Sequence, residues 1–408
     1  MPKIEDYKSI VGEDVVNELF LIAEKLDGKV VQNINSTSVG GGVAEILTRM
    51  IPLQKQLGID ARWDVIKGDD KFFAITKNIH NALHGVSIKV TDDDLNYFLE
   101  VDKQNAEEMN FSGDIVVIHD PQPIALVEKK RVDVPQKWVW RCHIDITEPD
   151  EKVMSFLKPY IEKYNRAIFS APAFARRDLS VRQIMISPSI DPLSDKNKEL
   201  PQSTIDSTVE QFGIDKDRPI VTQISRFDKL KDPSGVIEVY KRVKKYIDCQ
   251  LVLAGGGATD DPEGIRILGK IKESSKKDPD IHVIYLPPSS DIAINALQRA
   301  STVVLQKSLK EGFGLTVTEA LWKAKPVIAS AVGGIPLQIT HKYSGILTYS
   351  LDGTAHYLKE LLNEPEYARQ LGINGREHVR NNFLITRHIR ENLLLFISLY
   401  HDGDLVYL

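Results

Sequence analysis

The sequence predicts an α/β protein built from two Rossmann-like domains that face each other across a cleft. Three observations predict it. Short apolar runs, of the length of buried parallel strands, alternate with charged helical segments along the chain. One polar, proline-bearing stretch from 187 to 217 interrupts that alternation, which then restarts. The 408 residues suit two domains at roughly 100–200 residues each. We place the domains at 1–200 and 213–385, with 386–408 as a C-terminal helix and tail.

The elements follow in order. Val15, Val16, Leu19, Phe20, Ala23 and Leu26 recur at helical spacing. A short strand spans Val30–Asn35, followed by a loop with Gly40, Gly41 and Gly42. Val43, Leu47, Met50 and Leu57 then mark a helix that Pro52 should kink or shorten, with Gly58 as its C-cap. Strands are expected at 115–118, 139–143, 167–169 and 184–186, with a helix in 151–164. After the linker, strands are expected at 219–224, 250–254, 282–286, 302–306, 326–329 and 345–347. A closing helix at 386–400 has a wide apolar face of Ile389, Leu393, Leu394, Phe396 and Ile397.

Composition excludes several classes. A hydrophobic fraction of 42% rules out disorder, and two cysteines, Cys142 and Cys249, are too few for a disulfide scaffold. The net charge of −5 argues against bulk nucleic-acid binding. No apolar stretch approaches the roughly 20 residues of a membrane helix, and the N-terminus is acidic where a signal peptide is basic. The chain reads as a soluble cytoplasmic protein with no membrane partner. Its oligomeric state is not legible, and a homodimer is compatible with it.

The strongest local signal is Lys310-Glu311-Gly312-Phe313-Gly314-Leu315-Thr316-Val317-Thr318-Glu319, which follows a strand and opens a helix. Glycines let the backbone approach a ligand, and a helix start points N–H groups and a positive dipole end at an anion. Glu311 and Glu319 can border that seat and accept bonds from sugar hydroxyls. The alternative is a plain glycine loop with a carboxylate complementing the dipole. Arg226 and Lys231 follow another strand, where two cations can converge on one anion or stay as solvated loop charges. The Gly40 to Gly42 and Gly255 to Gly257 triplets are either phosphate loops or tight turns, and neither fits a dinucleotide fingerprint or a P-loop. His143 ends a strand, as a structural or a ligand-facing residue. His119-Asp120-Pro121 and His80-Asn81 are further polar patches. No metal-binding spacing and no Gly-x-Ser-x-Gly occurs.

Taken together, Gly41 and Gly42, His143, the Arg226–Lys231 pair, Glu311 with Glu319, and Gly333-Gly334-Ile335-Pro336 occur in an order that resembles the retaining nucleotide-sugar glycosyltransferases of GT-B fold, the glycogen-synthase and sucrose-synthase-like group. The resemblance covers nearly the whole chain. Arg62-Trp63-Asp64-Val65-Ile66, Phe72-Phe73-Ala74-Ile75-Thr76-Lys77, and the His80, His119 and Trp140 segments narrow it to the trehalose synthases that join a nucleoside-diphosphate glucose to free glucose.

That resemblance implies roles. Arg226 and Lys231 bind the donor diphosphate, while Glu311 contacts the transferred sugar and Glu319 the ribose. Gly312, Phe313, Gly314, Leu315 and Thr316 offer backbone amides to the phosphates. Gly41 and Gly42 close over the β-phosphate, His143 meets the donor sugar, and Leu286 meets the base through its backbone. His80, Asn81, Asp120 and Arg141 are candidates for the acceptor glucose. The C-terminal helix crosses back to the first domain. The implied co-substrate is a nucleotide sugar such as UDP-glucose or ADP-glucose, with no metal and no other cofactor required. The implied reaction makes α,α-trehalose and is reversible. A different acceptor, or an epimerase on the same architecture, is the alternative.

Overall fold

A computed structural model describes residues 2–39, 41–131, 133–256, 262–287 and 289–401. Gly40 and Gly257, from the two glycine triplets, lie outside the described residues. The chain forms two units, Met1–Ser189 with Ile385–Leu408, and Ile190–Leu384.

The first unit begins with helices α1 (Lys8–Val11) and α2 (Glu13–Glu24), then strand β1 (Val30–Asn35) and helix α3 (Gly41–Gln56). Next come β2 (Asp60–Val65), α4 (Asp70–Leu83), α5 (Asp92–Glu108), β3 (Ile115–His119), β4 (Lys137–Arg141), α6 (Glu151–Ile161), β5 (Arg166–Phe169) and β6 (Gln183–Met185). Its sheet has the order β2-β1-β3-β4-β5-β6 and every pair is parallel. Asp69 starts α4 by accepting the Phe72 N–H, and a Thr91–Asp94 capping box starts α5.

The second unit runs α7 (Gln202–Gln211), β7 (Ile220–Ile224), α8 (Pro233–Lys244), β8 (Gln250–Gly255), α9 (Pro262–Ser275), β9 (Ile281–Tyr285), α10 (Asp291–Ala300) and β10 (Val303–Gln306). It continues with α11 (Leu315–Trp322), β11 (Val327–Ser330), α12 (Ile335–Gln338), β12 (Ile346–Thr348), α13 (Leu351–Asn363) and α14 (Pro365–Asn382). The parallel sheet order is β12-β11-β10-β7-β8-β9. Along β7 and β8 the buried side chains alternate between two cores. Val221, Leu251 and Leu253 join one cluster, and Ile220, Ile224 and Val252 join the other. A parallel sheet covered on both faces requires that, which explains its near-continuous apolar strands.

The closing helix α15 (Ile385–Ser398) belongs to the first unit and packs on α2 and α3. Its Arg390 makes a forked pair with Glu18 at 2.8–2.9 Å, and Arg387 donates to the carbonyls of Ser187 and Pro188. Leu395 is fully buried on this helix while Leu394 and Ile397 are only half-buried. The apolar face is therefore rotated by about one position from the expected one.

The boundary between the units, at Ser189 and Ile190, falls within the stretch 187–217, and α7 also lies inside it. Two further expectations are corrected. Strand β4 ends at Arg141, where its ladder with β3 ends at His119, so Cys142 and His143 lie beyond it. Their buried apolar neighbours Ile144 and Ile146 make the run look longer than the strand. Pro52 does not end α3, which continues to Gln56. Strand β2 was not expected: it is a sheet edge, and its sequence Asp-Ala-Arg-Trp-Asp-Val carries the charges that edges tolerate.

Candidate active site

In an open parallel sheet, ligands collect at the carboxyl ends of strands where the strand order reverses. In the second unit that point lies between β7 and β10, and in the first unit between β1 and β3. Arg226, Lys231 and Glu311 lie at the first of these places, and Asp120, Arg141 and His143 at the second.

At the β7/β10 point, the loop after β7 is wound by Asp228, whose Oδ1 accepts the N–H groups of Leu230 (2.7 Å) and Lys231 (3.1 Å). Asp232 then takes a left-handed φ of 47° and caps α8 by accepting the Gly235 N–H. The two turns send Lys231 inward, where its Nζ lies 2.5 Å from Glu311 Oε2. The same oxygen accepts from Ser308 Oγ at 3.1 Å and Gln306 Nε2 at 3.4 Å. Gln306 Oε1 accepts from Thr316 Oγ1 at 3.3 Å, tying the carboxylate to the first turn of α11. The Leu309 N–H donates to the Leu230 carbonyl and joins the two loops directly. Arg226 behaves differently: it is mostly exposed and pairs with Asp228 at 3.2 Å. Each cation thus already has its own carboxylate partner.

Glycine is required here for a measurable reason. Gly314 sits at φ 83° as the N-cap of α11, where the helix leaves Leu315 and Thr316 N–H groups without intrahelical acceptors. Gly333 sits at φ 56°, and a Cβ on it would fall 1.7 Å from the Glu311 carbonyl oxygen. The next residue, Gly334, donates its N–H to the Gly312 carbonyl at 2.9 Å. Gln338 holds the loop from the other side, donating to the Phe313 carbonyl and accepting from Thr318 Oγ1. Phe313 is buried against Phe383 with ring centroids 5.5 Å apart. Glu319, inside α11, is 3% exposed with Lys196 Nζ at 3.9 Å. Leu286 is buried, and its N–H donates to the Gly255 carbonyl at the end of β8.

At the β1/β3 point, a chain of polar side chains runs through the ends of buried strands. Asn33 Oδ1 lies 3.0 Å from His119 Nε2, and His119 Nδ1 lies 3.2 Å from His143 Nε2. The His143 N–H donates to Asp120 Oδ1 at 2.7 Å. Asp120 itself has φ 64° and accepts the Trp140 indole N–H through its carbonyl. Arg141 is 3% exposed; it donates to Ser170 Oγ at 3.4 Å, and its Nη1 is buried without a partner. It lines a small cavity together with Asn33, His119, His143, His388 and Asn392. His80 and Asn81 occupy the last turn of α4, with the His80 ring 4.9 Å from His84. Gly41 opens α3 at φ 79°, with Gly42 next to it.

Burial sets the protonation of this cluster. It lowers His119 to about 3 and His143 well below the usual range, and the Arg141 cation pushes both the same way. Burial lifts the Asp120 carboxyl to about 7, against the opposite pull of the His143 N–H and Arg141. Arg141 is lowered by burial to about 10 and stays charged at neutral pH. For Asp120 the folded pKa is raised above its ordinary 3.8, so its contribution to stability is present below that value and lost as pH rises through about 7. Asn keeps the acceptor for the His143 N–H and tolerates positive φ. Asp120→Asn should therefore gain thermal stability over the parent at pH 8.5 and lose that advantage as the pH falls to about 4. Denaturation curves at both pH values check this; an equal difference at the two would overturn the buried-carboxyl account.

Sequence reasoning did not select Asn33, Gln306, Ser308 or Gln338. The legible hints were polar residues inside or at the end of apolar strand runs, Gln32-Asn33 in β1 and Gln306 in β10. Among the described residues no group of three His, Cys, Asp or Glu is gathered as a metal site needs, and no helix is long and apolar enough to cross a membrane.

The chain is similar to known proteins along most of its length. Residues 33–176 match the trehalose synthase N-terminal domain model, and residues 204–378 match glycosyl transferases group 1. A trehalose synthase of Thermococcus litoralis is 44% identical over 403 residues, which is 97% of each chain. A trehalose phosphorylase of Pleurotus pulmonarius is 31% identical over 438 residues, covering 92% of this chain and 58% of that one. Among solved structures, a sucrose-phosphate synthase from Thermosynechococcus elongatus superposes with TM-score 0.72 at 18% identity, over 92% of this chain and all of that one. Two Rossmann-like units, a C-terminal helix returned to the first of them, and this degree of likeness along the chain lead to one conclusion: the chain belongs to the trehalose synthase family and is a trehalose-related glycosyltransferase of GT-B fold.

Proposed function

We propose that the chain transfers glucose from a nucleoside-diphosphate glucose to the anomeric hydroxyl of free glucose, with retention, giving α,α-trehalose. The observation that carries this reading is the Lys231–Glu311 pair beside the start of α11. It sets a cation and helix N–H groups for a diphosphate next to a carboxylate for sugar hydroxyls.

Breaking the glycosyl–phosphate bond develops negative charge on the leaving diphosphate. Preorganised donors stabilise it, and losing one typically costs about 10²–10³ in rate. Lys231, Arg226 and the amides from Gly312 to Thr316 are those donors in this reading. Glu311 has Oε2 engaged by Lys231, Ser308 and Gln306, and Oε1 takes the sugar. Glu319 takes the ribose, and Leu286 lies along the base. In the first unit His143 meets the transferred glucose, Gly41 and Gly42 cover the β-phosphate, and the acceptor takes hydroxyl contacts from His80, Asn81, Asp120 and Arg141. Attack from the leaving-group side lets the departing phosphate oxygen take the acceptor's proton, which retains the α configuration without a covalent nucleophile.

The test incubates the protein with UDP-glucose or ADP-glucose, each with and without glucose, and resolves products by anomeric NMR. A symmetric 1,1-linked disaccharide formed only with glucose is expected. Donor consumed equally without glucose would replace this reading by epimerase or hydrolase action. Glucose 1-phosphate formed from trehalose and inorganic phosphate, with nucleotide sugars inert, would replace it by the phosphorolytic reaction that the fungal relative's name describes.

The site roles have their own check. Glu311→Ala should abolish glucose transfer while calorimetry still detects the bare nucleoside diphosphate, since Lys231 is released from its carboxylate. Loss of nucleotide binding would remove Glu311 from the sugar position.

A further inference from the structure

The polar chain at the β1/β3 point has a direction. Asn33 Nδ2 faces the Arg62 backbone carbonyl at 3.5 Å, and a carbonyl only accepts. Turning the Asn33 amide over would set two acceptor oxygens against each other. Oδ1 is therefore the atom 3.0 Å from His119 Nε2, and that nitrogen must carry the proton and donate. Burial beside the Arg141 cation keeps His119 neutral, so its Nδ1 is a bare lone pair. His143 Nε2, 3.2 Å away, must donate into it. The last free position in the relay is His143 Nδ1, which then holds a lone pair and no proton. His143 has no other ring partner among the described residues, and part of its surface is open.

We infer that Asn33 and His119 are positioning residues that fix His143 as a hydrogen-bond acceptor at Nδ1, so that the site selects a neutral sugar offering a hydroxyl there. This rests on the reading of His143 as the group that meets the transferred sugar. Asn33 and His119 touch no substrate in this account. They act through the tautomer, and a ring with the opposite tautomer would offer a donor and welcome a carboxylate instead. A lone pair facing a hydroxyl attracts it, and facing a uronate carboxylate repels it.

The experiment records 15N spectra of the histidine-labelled full chain, with His143 assigned by His143→Gln. Nε2-protonated, Nδ1-bare rings are expected for both His119 and His143. A His143 protonated at Nδ1, or exchanging between tautomers, overturns the inference. Two variants give the functional readout. Asn33→Leu removes the anchor and should mix the tautomers, lowering kcat/KM for the nucleoside-diphosphate glucose about 10- to 100-fold, the size of one lost polar contact, with the affinity for bare nucleoside diphosphate unchanged. His119→Gln carries one donor and one acceptor, can donate to Asn33 Oδ1 and accept from His143 Nε2, and should keep both the parent's His143 tautomer and its preference. Mixed tautomers in Asn33→Leu with unchanged kcat/KM would also overturn it. If Asn33→Leu does not fold, the parent spectrum alone decides. A chain that transfers no glucose from any nucleotide refutes the proposed reaction, while the spectra still report on the relay.

Discussion

Lys231→Ala should lower kcat by about 10²–10³ at saturating donor, because the proposed reaction then loses one preorganised donor to the leaving phosphate. It should also lower stability, which separates it from Arg226→Ala. Lys231 and Glu311 are largely buried, with side-chain exposures of 16% and 9%, and their atoms are 2.5 Å apart. Removing one partner leaves the Glu311 carboxylate under protein with only Ser308 and Gln306 as donors. Breaking a buried pair typically costs about 3–5 kcal/mol, and the residual donors and partial exposure reduce that here. Arg226 is 67% exposed, so Arg226→Ala should cost rate and leave the melting curve unchanged. Lys231→Ala with Glu311→Ala should recover stability and none of the activity. Initial rates and urea denaturation of the four proteins check this. Parent-like rates in both cation variants would remove the diphosphate assignment.

The second large effect is expected at Gly333. A methyl group there meets the Glu311 carbonyl oxygen at 1.7 Å, and φ 56° is strained for any residue with a Cβ. Backbone has to move, and the backbone in question carries Glu311 and Gly312. Gly333→Ala should reduce activity by at least about 10²-fold, since a displacement near 1 Å of the reacting groups costs that much. Gly213→Ala is the control: φ is 67°, yet nothing lies within 4 Å of the added Cβ. It should cost about 1–2 kcal/mol of local strain and no steric displacement. Steady-state kinetics and nucleotide calorimetry on the two variants distinguish them. Equal activity of Gly333→Ala and the parent would show that the seat beneath Glu311 yields.

Much of this was legible in the chain. All six strands of the second unit lie where short apolar runs end at turn residues, and α11 starts where Gly314 precedes a helical pattern. Both are local properties: a strand buried on two faces needs apolar residues throughout, and a left-handed N-cap favours glycine or a short polar residue, as at Gly314 and Asp232. The misses are also local in origin. The edge strand β2 lacks apolar continuity because one side of its backbone faces solvent. Leu395 reads like Leu394 in the sequence, and only packing against α2 and α3 decides which is covered.

The pairing of the site residues is another matter. Lys231 and Glu311 are 80 residues apart, and Asn33 and His119 are 86 apart. No spacing rule connects them, and Gln306 or Asn33 alone is an ordinary polar residue. The chain by itself determined the alternating elements, the glycine seats and the family's charged residues, because each depends on near neighbours. The tertiary structure alone decided that Lys231 meets Glu311 and that Asn33 orders the two histidines. Those contacts exist because in each unit the chain returns across its first strand, setting β10 beside β7 and β3 beside β1, so that distant loops emerge together at the carboxyl ends of neighbouring strands.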